Sequence, residues 1–216
     1  MAFKDKILLW YESYGRDLPW RKTCDPYHIW ISEIILQQTR IEQGLSYYLK
    51  FIDAFPTVQH LAEASEQDVL KLWQGLGYYS RCRNLHAAAK SIVSDRNGVF
   101  PDTYEDILAL KGVGKYTAAA IASFAFRMNY PVIDGNVYRV ISRIYGVYSP
   151  IGTQSAFKQF EQILFRLIDT ERPDLFNQAI MDFGATYCKP VSPDCANCIF
   201  ASECVAYRNE KVDMLP

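Results

Sequence analysis

The sequence predicts an all-α protein, on two observations. Apolar residues recur at helical spacing along almost the whole 216-residue chain, and no set of alternating apolar and polar residues marks out strands. The expected helices take in residues 3–13, 27–53, 66–74, 79–94, 103–109, 115–126, 136–146, 155–168 and 174–186. The first lies in "MAFKDKILLWYESYG", whose charges fall among apolar residues at roughly helical spacing. Asp25-Pro26 opens the second and Phe55-Pro56 closes it. The third, fifth and eighth rest on periodicity alone, and the fourth ends at Asn97-Gly98. A Gly-Val-Gly turn leads into the alanine-rich sixth, Asp134 stands before the seventh, and Pro173 enters the last.

Half of the residues are apolar, enough to bury a proper core in one domain or two packed lobes. The opening stretch lacks the apolar block and small-residue cleavage site of an export signal. No apolar run approaches the roughly 20 residues that a membrane span needs. A soluble, intracellular protein with no membrane partner is expected.

The formal charge is −1, so bulk electrostatics points to no particular partner, but the charge is segregated. Between Leu110 and Gly146 lie Lys111, Lys115, Arg127, Arg139 and Arg143 against Asp134 alone, as a face meant for phosphates would require. Within that stretch, Lys111-Gly112-Val113-Gly114-Lys115 forms a small basic loop. Its glycines permit a tight turn with positive φ, and the helix that follows offers unpaired N–H groups and a positive dipole end. It is not a Walker loop, because Lys115 is followed by Tyr116.

Four cysteines crowd the last part of the chain, Cys188, Cys195, Cys198 and Cys204, spaced C-x6-C-x2-C-x5-C. In a chain with no export signal this indicates a metal site rather than disulfides, with a tetrahedral zinc and a four-iron cluster both open on spacing alone. The segment from Ser192 onward is short and turn-rich, so something other than a core is expected to hold it. Cys24 and Cys82 read as ordinary thiols.

Two carboxylates stand out. Glu33 has Ile29, Trp30, Leu36 and Gln37 as helical neighbours and no cation among them, so desolvation should raise its pKa and keep it protonated, as a general acid requires. Asp134, just ahead of Gly135-Asn136 and a helix start, should be held ionised by that helix terminus. The histidines, His28, His60 and His86, suggest no catalytic role.

A helix, the Gly-Val-Gly hairpin, a second helix, an apolar approach to one Asp, and then four cysteines at this spacing resemble the helix-hairpin-helix DNA glycosylase superfamily that includes endonuclease III. Within it, "LPWRKTCDPYHIWISEIILQQTR", "WQGLGYYSRCRNLHAAA", "IDGNVYRV" and "FNQAIMDFGATYC" are similar to motifs of the MutY adenine glycosylases, and the likeness runs from about Leu18 to Cys204. The resemblance implies a [4Fe–4S] cluster on the four cysteines. It also implies a six-helix lobe over 25–133 that carries the hairpin, a cluster lobe over 1–24 and 134–216, and an active cleft between the lobes. The implied reaction is hydrolysis of the N-glycosidic bond of adenine mispaired with 8-oxoguanine or guanine, after extrusion of the nucleotide. Glu33 would protonate N7 of adenine and Asp134 would stabilise the oxocarbenium-like sugar, with Tyr116 and Asn136 also at catalytic positions. Lys111 to Lys115 would grip the DNA backbone, Gln38 and Tyr78 would wedge into the base stack, and Trp20, Arg21, Leu36 and Gln178 would shape the adenine pocket.

Tyr116 occupies the slot where endonuclease III carries its nucleophilic lysine, and Lys115 lies one position early, about 100° round a helix. A monofunctional enzyme follows. The rival readings are a thymine glycosylase for T:G mismatches, which also has tyrosine there, and a DNA-damage-binding protein without catalysis, which would need neither acid. The resemblance further implies a DNA-bound monomer of the bacterial cytoplasm or nucleoid. It also implies a chain ending near the point where such enzymes pass into a second domain that reads the oxidised guanine.

Overall fold

A computed structural model describes residues 1–215, and among them there is helix but no strand. By its internal contacts the chain divides into two units, one made of Met1–Asp17 with Arg127–Pro216 and the other of Leu18–Phe126. The crossings fall before Leu18 and after Phe126, upstream of the lobe limits that the sequence suggested.

The Leu18–Phe126 unit opens with a 3-10 turn, Pro19–Arg21, followed by α2 (Pro26–Ile35), numbered after the N-terminal helix α1 (Phe3–Tyr14). Asp25 caps α2 by accepting from the Tyr27 N–H, and Pro26 takes the first helical position, where its missing donor costs nothing. Every residue from Ile29 to Ile35 is buried, so α2 is a core helix without a solvent face. It packs on α3 (Ile41–Ala54) and α8 (Lys115–Phe126), and α8 comes close because Ala118, Ala120 and Ala122 are fully buried small residues. Around them lie α4 (Val58–Glu63), α5 (Glu66–Trp73), α6 (Tyr79–Arg96) and α7 (Tyr104–Leu108), with Trp30, Phe51 and Trp73 filling the interior.

Two differences from the sequence reading arise here. The single helix expected over 27–53 is two, broken at 36–40 where Gln38 adopts left-handed backbone at φ 58°. The break is stabilised from outside: Arg81 on α6 donates to carbonyls at the end of α2, a contact no local pattern reveals. The short α4 was not expected; Thr57 starts it by accepting from the His60 N–H.

In the other unit, α1 packs on α11 (Pro173–Asp182), and α9 (Gly135–Tyr145) packs on α11, on the π turn Phe183–Tyr187 and on α12 (Val205–Arg208), with α10 (Gln154–Leu167) completing the set. Its core joins Phe3, Ile7, Leu8 and Trp10 of α1 to Val140, Ile141, Phe160, Phe176, Ile180 and Phe183. Arg16 fixes the end of α1, its Nε and backbone N–H each donating to the fully buried Asp182 at 2.8 Å.

The cysteine segment was expected to be held by something other than a core, and it is nevertheless packed into one. Phe200 is completely buried, stacks on Phe3 at 4.9 Å between ring centres and meets Phe183 edge-on at 5.5 Å. One aromatic anchor therefore carries the segment into the same core as α1, a burial worth about 1.5–3 kcal/mol.

Candidate active site

Between α7 and α8 the chain turns at Lys111 and Gly112, and the Val113 N–H closes the turn on the Leu110 carbonyl. Gly112 sits at φ +82°, and a Cβ there would lie 2.7 Å from that of Asn84, so both conformation and space require glycine. Gly114 differs from expectation. Its φ is not positive and nothing lies within 4 Å of where a Cβ would be, so its backbone is simply open to approach. Its carbonyl accepts from Ala118, which starts α8 with Lys111, Gly112, Gly114 and Lys115 exposed, Val113 buried beneath and Tyr116 half-buried.

Of the five cations expected to face phosphate, Lys111 and Lys115 are exposed, whereas Arg139 and Arg143 are buried, at 8% and 2% exposure, and donate to backbone carbonyls. Arg127 pairs with Asp174 at 3.6 Å. The basic surface around the hairpin is therefore narrower than the sequence implied.

Glu33 lies on α2 at 8% exposure, among the fully or nearly buried Ile29, Trp30 and Ile34. Helix α8, which starts at the hairpin, lies against this helix and is tied to the loop that follows it, where Gln37 Nε2 donates to Thr117 Oγ1 at 3.3 Å. Leu36 covers Gly44 of α3, where a Cβ would come within 2.6 Å of its methyl group. Trp20 is buried with its ring edge-on to Tyr48 at 5.1 Å, while Arg21 beside it is half-buried. Gln38 and Tyr78 are exposed, and both hold left-handed backbone, which costs a non-glycine residue about 1–3 kcal/mol. Glu33, Trp20, Arg21, Leu36, the two exposed residues and the hairpin thus belong to one unit.

Asp134, Asn136, Gln178 and the cysteines belong to the other. Asp134 caps α9: Oδ1 accepts from the Val137 N–H at 2.8 Å and Oδ2 from Asn136 Nδ2 at 2.7 Å. The helix terminus was expected to keep this carboxylate ionised. Burial outweighs it, and the net direction of the pKa is upward despite the lowering by Val137, Asn136 and Arg139. Upstream, Asn177 holds the apolar approach to Asp134, its Oδ1 accepting from the Val132 N–H and its Nδ2 donating to the Tyr130 carbonyl. Gln178 is fixed by the Tyr11 hydroxyl, which donates to Oε1 at 2.8 Å.

Sequence reasoning assigned Arg139 to phosphate and missed its structural role. Its Nη2 donates to Asn136 Oδ1 at 2.8 Å and to the Gly184 carbonyl, and its Nε to the Cys188 carbonyl at 2.8 Å. A continuous chain of hydrogen bonds thereby joins the first cysteine of the tail to Asp134. Gly184 makes room for it, because a Cβ there would lie 2.6 Å from that of Asn136. The usable signal was helical spacing alone: Asn136 and Arg139 are three apart, on one face.

Cys188, Cys195, Cys198 and Cys204 line one cavity together with Arg143, Phe183 and Tyr187. Arg143 Nη1 approaches Cys188 Sγ at 3.7 Å and donates to the Lys189 carbonyl, and the Phe200 N–H donates to Cys198 Sγ at 3.4 Å. Burial first, and the other three thiols after it, push the Cys198 thiol up to about 11 against the lowering by the Phe200 N–H. The donor set suits a metal or an iron–sulfur cluster, since four thiolates in one cavity need more positive charge than Arg143 supplies. Among the described residues no group of three or more His, Cys, Asp or Glu side chains is arranged to hold a metal ion as it stands. No helix is long and apolar enough to cross a membrane among those residues.

Residues 31–164 match the family described as HhH-GPD superfamily base excision DNA repair protein. An adenine DNA glycosylase of Buchnera aphidicola subsp. Baizongia pistaciae is 40% identical over 217 residues, covering 98% of this chain and 60% of that protein. The adenine DNA glycosylase of Homo sapiens is 40% identical over 223 residues, covering 99% of this chain and 41% of that protein. The chain therefore spans about two fifths to three fifths of the length of these relatives. Among solved structures, a thermostable thymine-DNA glycosylase superposes with a TM-score of 0.88 at 31% identity, over 96% of this chain and 95% of the other.

Proposed function

Because the chain belongs to the HhH-GPD superfamily of base excision DNA repair proteins, we propose that it is a monofunctional adenine DNA glycosylase acting on double-stranded DNA with adenine opposite 8-oxoguanine or guanine. The observation that carries this reading is the identity of about 40% to adenine DNA glycosylases across nearly the whole chain. The local geometry supports the roles. Glu33, in its apolar surroundings, donates a proton to N7 of the extruded adenine and makes the base a neutral leaving group. Asp134, fixed by Val137 and Asn136, supplies negative charge to the sugar as the glycosidic bond breaks. Lys111 to Lys115 and the start of α8 bind backbone phosphate, Gln38 and Tyr78 enter the base stack, and Trp20, Arg21, Leu36 and Gln178 shape the pocket.

A thymine glycosylase is the second reading, favoured by the likeness to the thymine-DNA glycosylase structure. Single-turnover base release from duplexes containing A:8-oxoG, A:G, T:G and thymine glycol separates the two. Release from the two adenine substrates alone is expected; release of thymine from T:G in preference to adenine overturns the reading. Strand cleavage should await treatment with base, because Tyr116 cannot form a Schiff base with the abasic sugar. Tyr116→Lys is expected to become trappable on DNA by borohydride, and equal trapping of the parent protein would show that Lys115 or another amine already acts as nucleophile.

In the same reading Cys188, Cys195, Cys198 and Cys204 hold a [4Fe–4S] cluster, which supplies structural cross-linking and fixed charge to the tail. Arg139 and Arg143 tether the backbone around Cys188. Anaerobically prepared protein should carry about four irons per chain, and Cys198→Ser should lower thermal stability and DNA binding together. Stoichiometric zinc in that preparation would refute the assignment.

A further inference from the structure

Two loops of the Leu18–Phe126 unit each hold an exposed residue in left-handed backbone, Gln38 at φ 58° between α2 and α3 and Tyr78 at φ 47° ahead of α6. One side chain touches both loops. Arg81, in the first turn of α6, donates through Nη1 to the Ile34 carbonyl at 2.9 Å, to that of Ile35 at 3.4 Å and to that of Gln37. The first two belong to the carbonyls that a helix leaves unpaired at its C-terminus and the third lies in the loop beyond, so Arg81 caps α2 from another helix. Its guanidinium carbon also lies 5.5 Å from the centre of the Tyr78 ring and 5.6 Å from that of the buried Trp73, within cation–π range. Nε and Nη2 are buried without a hydrogen-bond partner among the described residues, so the hydrogen-bonded edge of the guanidinium is the one turned to the α2 carbonyls. Trp73 is fixed in turn, its Nε1 donating at 3.1 Å to the carbonyl of Gly77, the residue before Tyr78.

Resting on the reading of Gln38 and Tyr78 as residues that enter the base stack, we propose that Arg81 is a positioning residue that couples them into one preformed wedge. Each loop by itself pays for a left-handed residue at its tip and is free to relax. Tied through one planar cation, the two tips keep a fixed spacing before DNA arrives, and the ordering cost of inserting them is already met. Lysine cannot substitute fully: an ammonium can pair with the α2 carbonyls but does not offer a planar, delocalised cation that reaches the Tyr78 and Trp73 rings at the same time.

Two measurements test this on the full chain. Without DNA, amide hydrogen exchange at residues 36–40 and 76–79 should speed up about tenfold in Arg81→Met while amides in α8 stay protected. With DNA, stopped-flow fluorescence of 2-aminopurine placed next to the mispaired adenine opposite 8-oxoguanine should rise about tenfold more slowly in Arg81→Met and by an intermediate factor in Arg81→Lys. In a Tyr78→Ala background the same Arg81→Met change should cost less than about twofold, because its partner is gone. Unchanged exchange, or a full tenfold loss added to that of Tyr78→Ala, overturns the proposal. Should Arg81→Met fail to fold, Arg81→Lys carries the same cycle: its intermediate slowing should disappear in the Tyr78→Ala background, and the same slowing in both backgrounds overturns the proposal. The exchange arm needs no catalysis, so loosened loops in a protein that releases no adenine would count against the enzyme reading and in favour of Arg81.

Discussion

Glu33→Gln is expected to reduce single-turnover release of adenine by about 10²–10⁴-fold, the range a positioned general acid contributes, while duplex binding stays within a few fold. The amide keeps the shape, volume and hydrogen-bonding capacity of the acid and removes the proton that can be transferred. Its surroundings make that loss hard to replace: Glu33 is the one acid of α2, and the helix around it is buried from Ile29 to Ile35, leaving little room for water to act instead. Purine analogues that leave without protonation at N7 should be released by the variant at nearly the parent rate. A variant that releases adenine normally would remove Glu33 from the mechanism.

Asp134→Asn should cut release by at least about a hundredfold, in line with the removal of one preorganised electrostatic contact to a charged transition state. Its stability carries a second, independent signature. The folded protein raises the Asp134 pKa, so above that value the ionised carboxylate costs stability relative to the unfolded chain. As pH falls through the folded pKa, the native state takes up a proton that the unfolded state does not yet bind, and the cost is relieved. Below the ordinary carboxylate range both states are protonated and nothing further changes. The parent protein should therefore gain stability relative to Asp134→Asn as the pH is lowered from 7 toward the ordinary aspartate range, as read from urea midpoints of the pair. Catalysis should run the other way and fade in the same window as the carboxylate is neutralised. A parent protein that loses relative stability on acidification would mean that the α9 terminus, and not burial, governs Asp134.

The hairpin and the cysteine spacing were legible in the sequence because each is local chemistry: Gly112 is required by its own φ, and the cysteines announce themselves by interval. The all-helical class was legible for the same reason, since helical periodicity is written within each segment. What the sequence concealed depended on distant partners. The break at Gln38 is stabilised by Arg81, far along the chain. Arg139 and Arg143 look like cations for phosphate, yet they are spent on carbonyls of the cysteine segment. Asp134 illustrates the same limit in energy: the cap was readable from Asp-Gly-Asn, but the balance between cap and desolvation depends on how much protein surrounds the carboxylate. Phe200 gave no sign that it would reach the core of α1.

The stacking of Phe200 on Phe3 sets an order of events during synthesis. Helix α1 emerges before the Leu18–Phe126 unit, with Phe3, Ile7, Leu8 and Trp10 on its apolar face, and every partner in its core lies after residue 126. The whole of Leu18–Phe126 is made in the interval, with all the residues of its own core in hand. That contiguous unit is free to fold while the discontinuous one waits, and the apolar face of α1 stays uncovered until α9, α11 and the cysteine segment arrive. The period of greatest exposure to aggregation or to chaperones is thus lengthened by the inserted unit, and it does not close before Phe200 has left the ribosome.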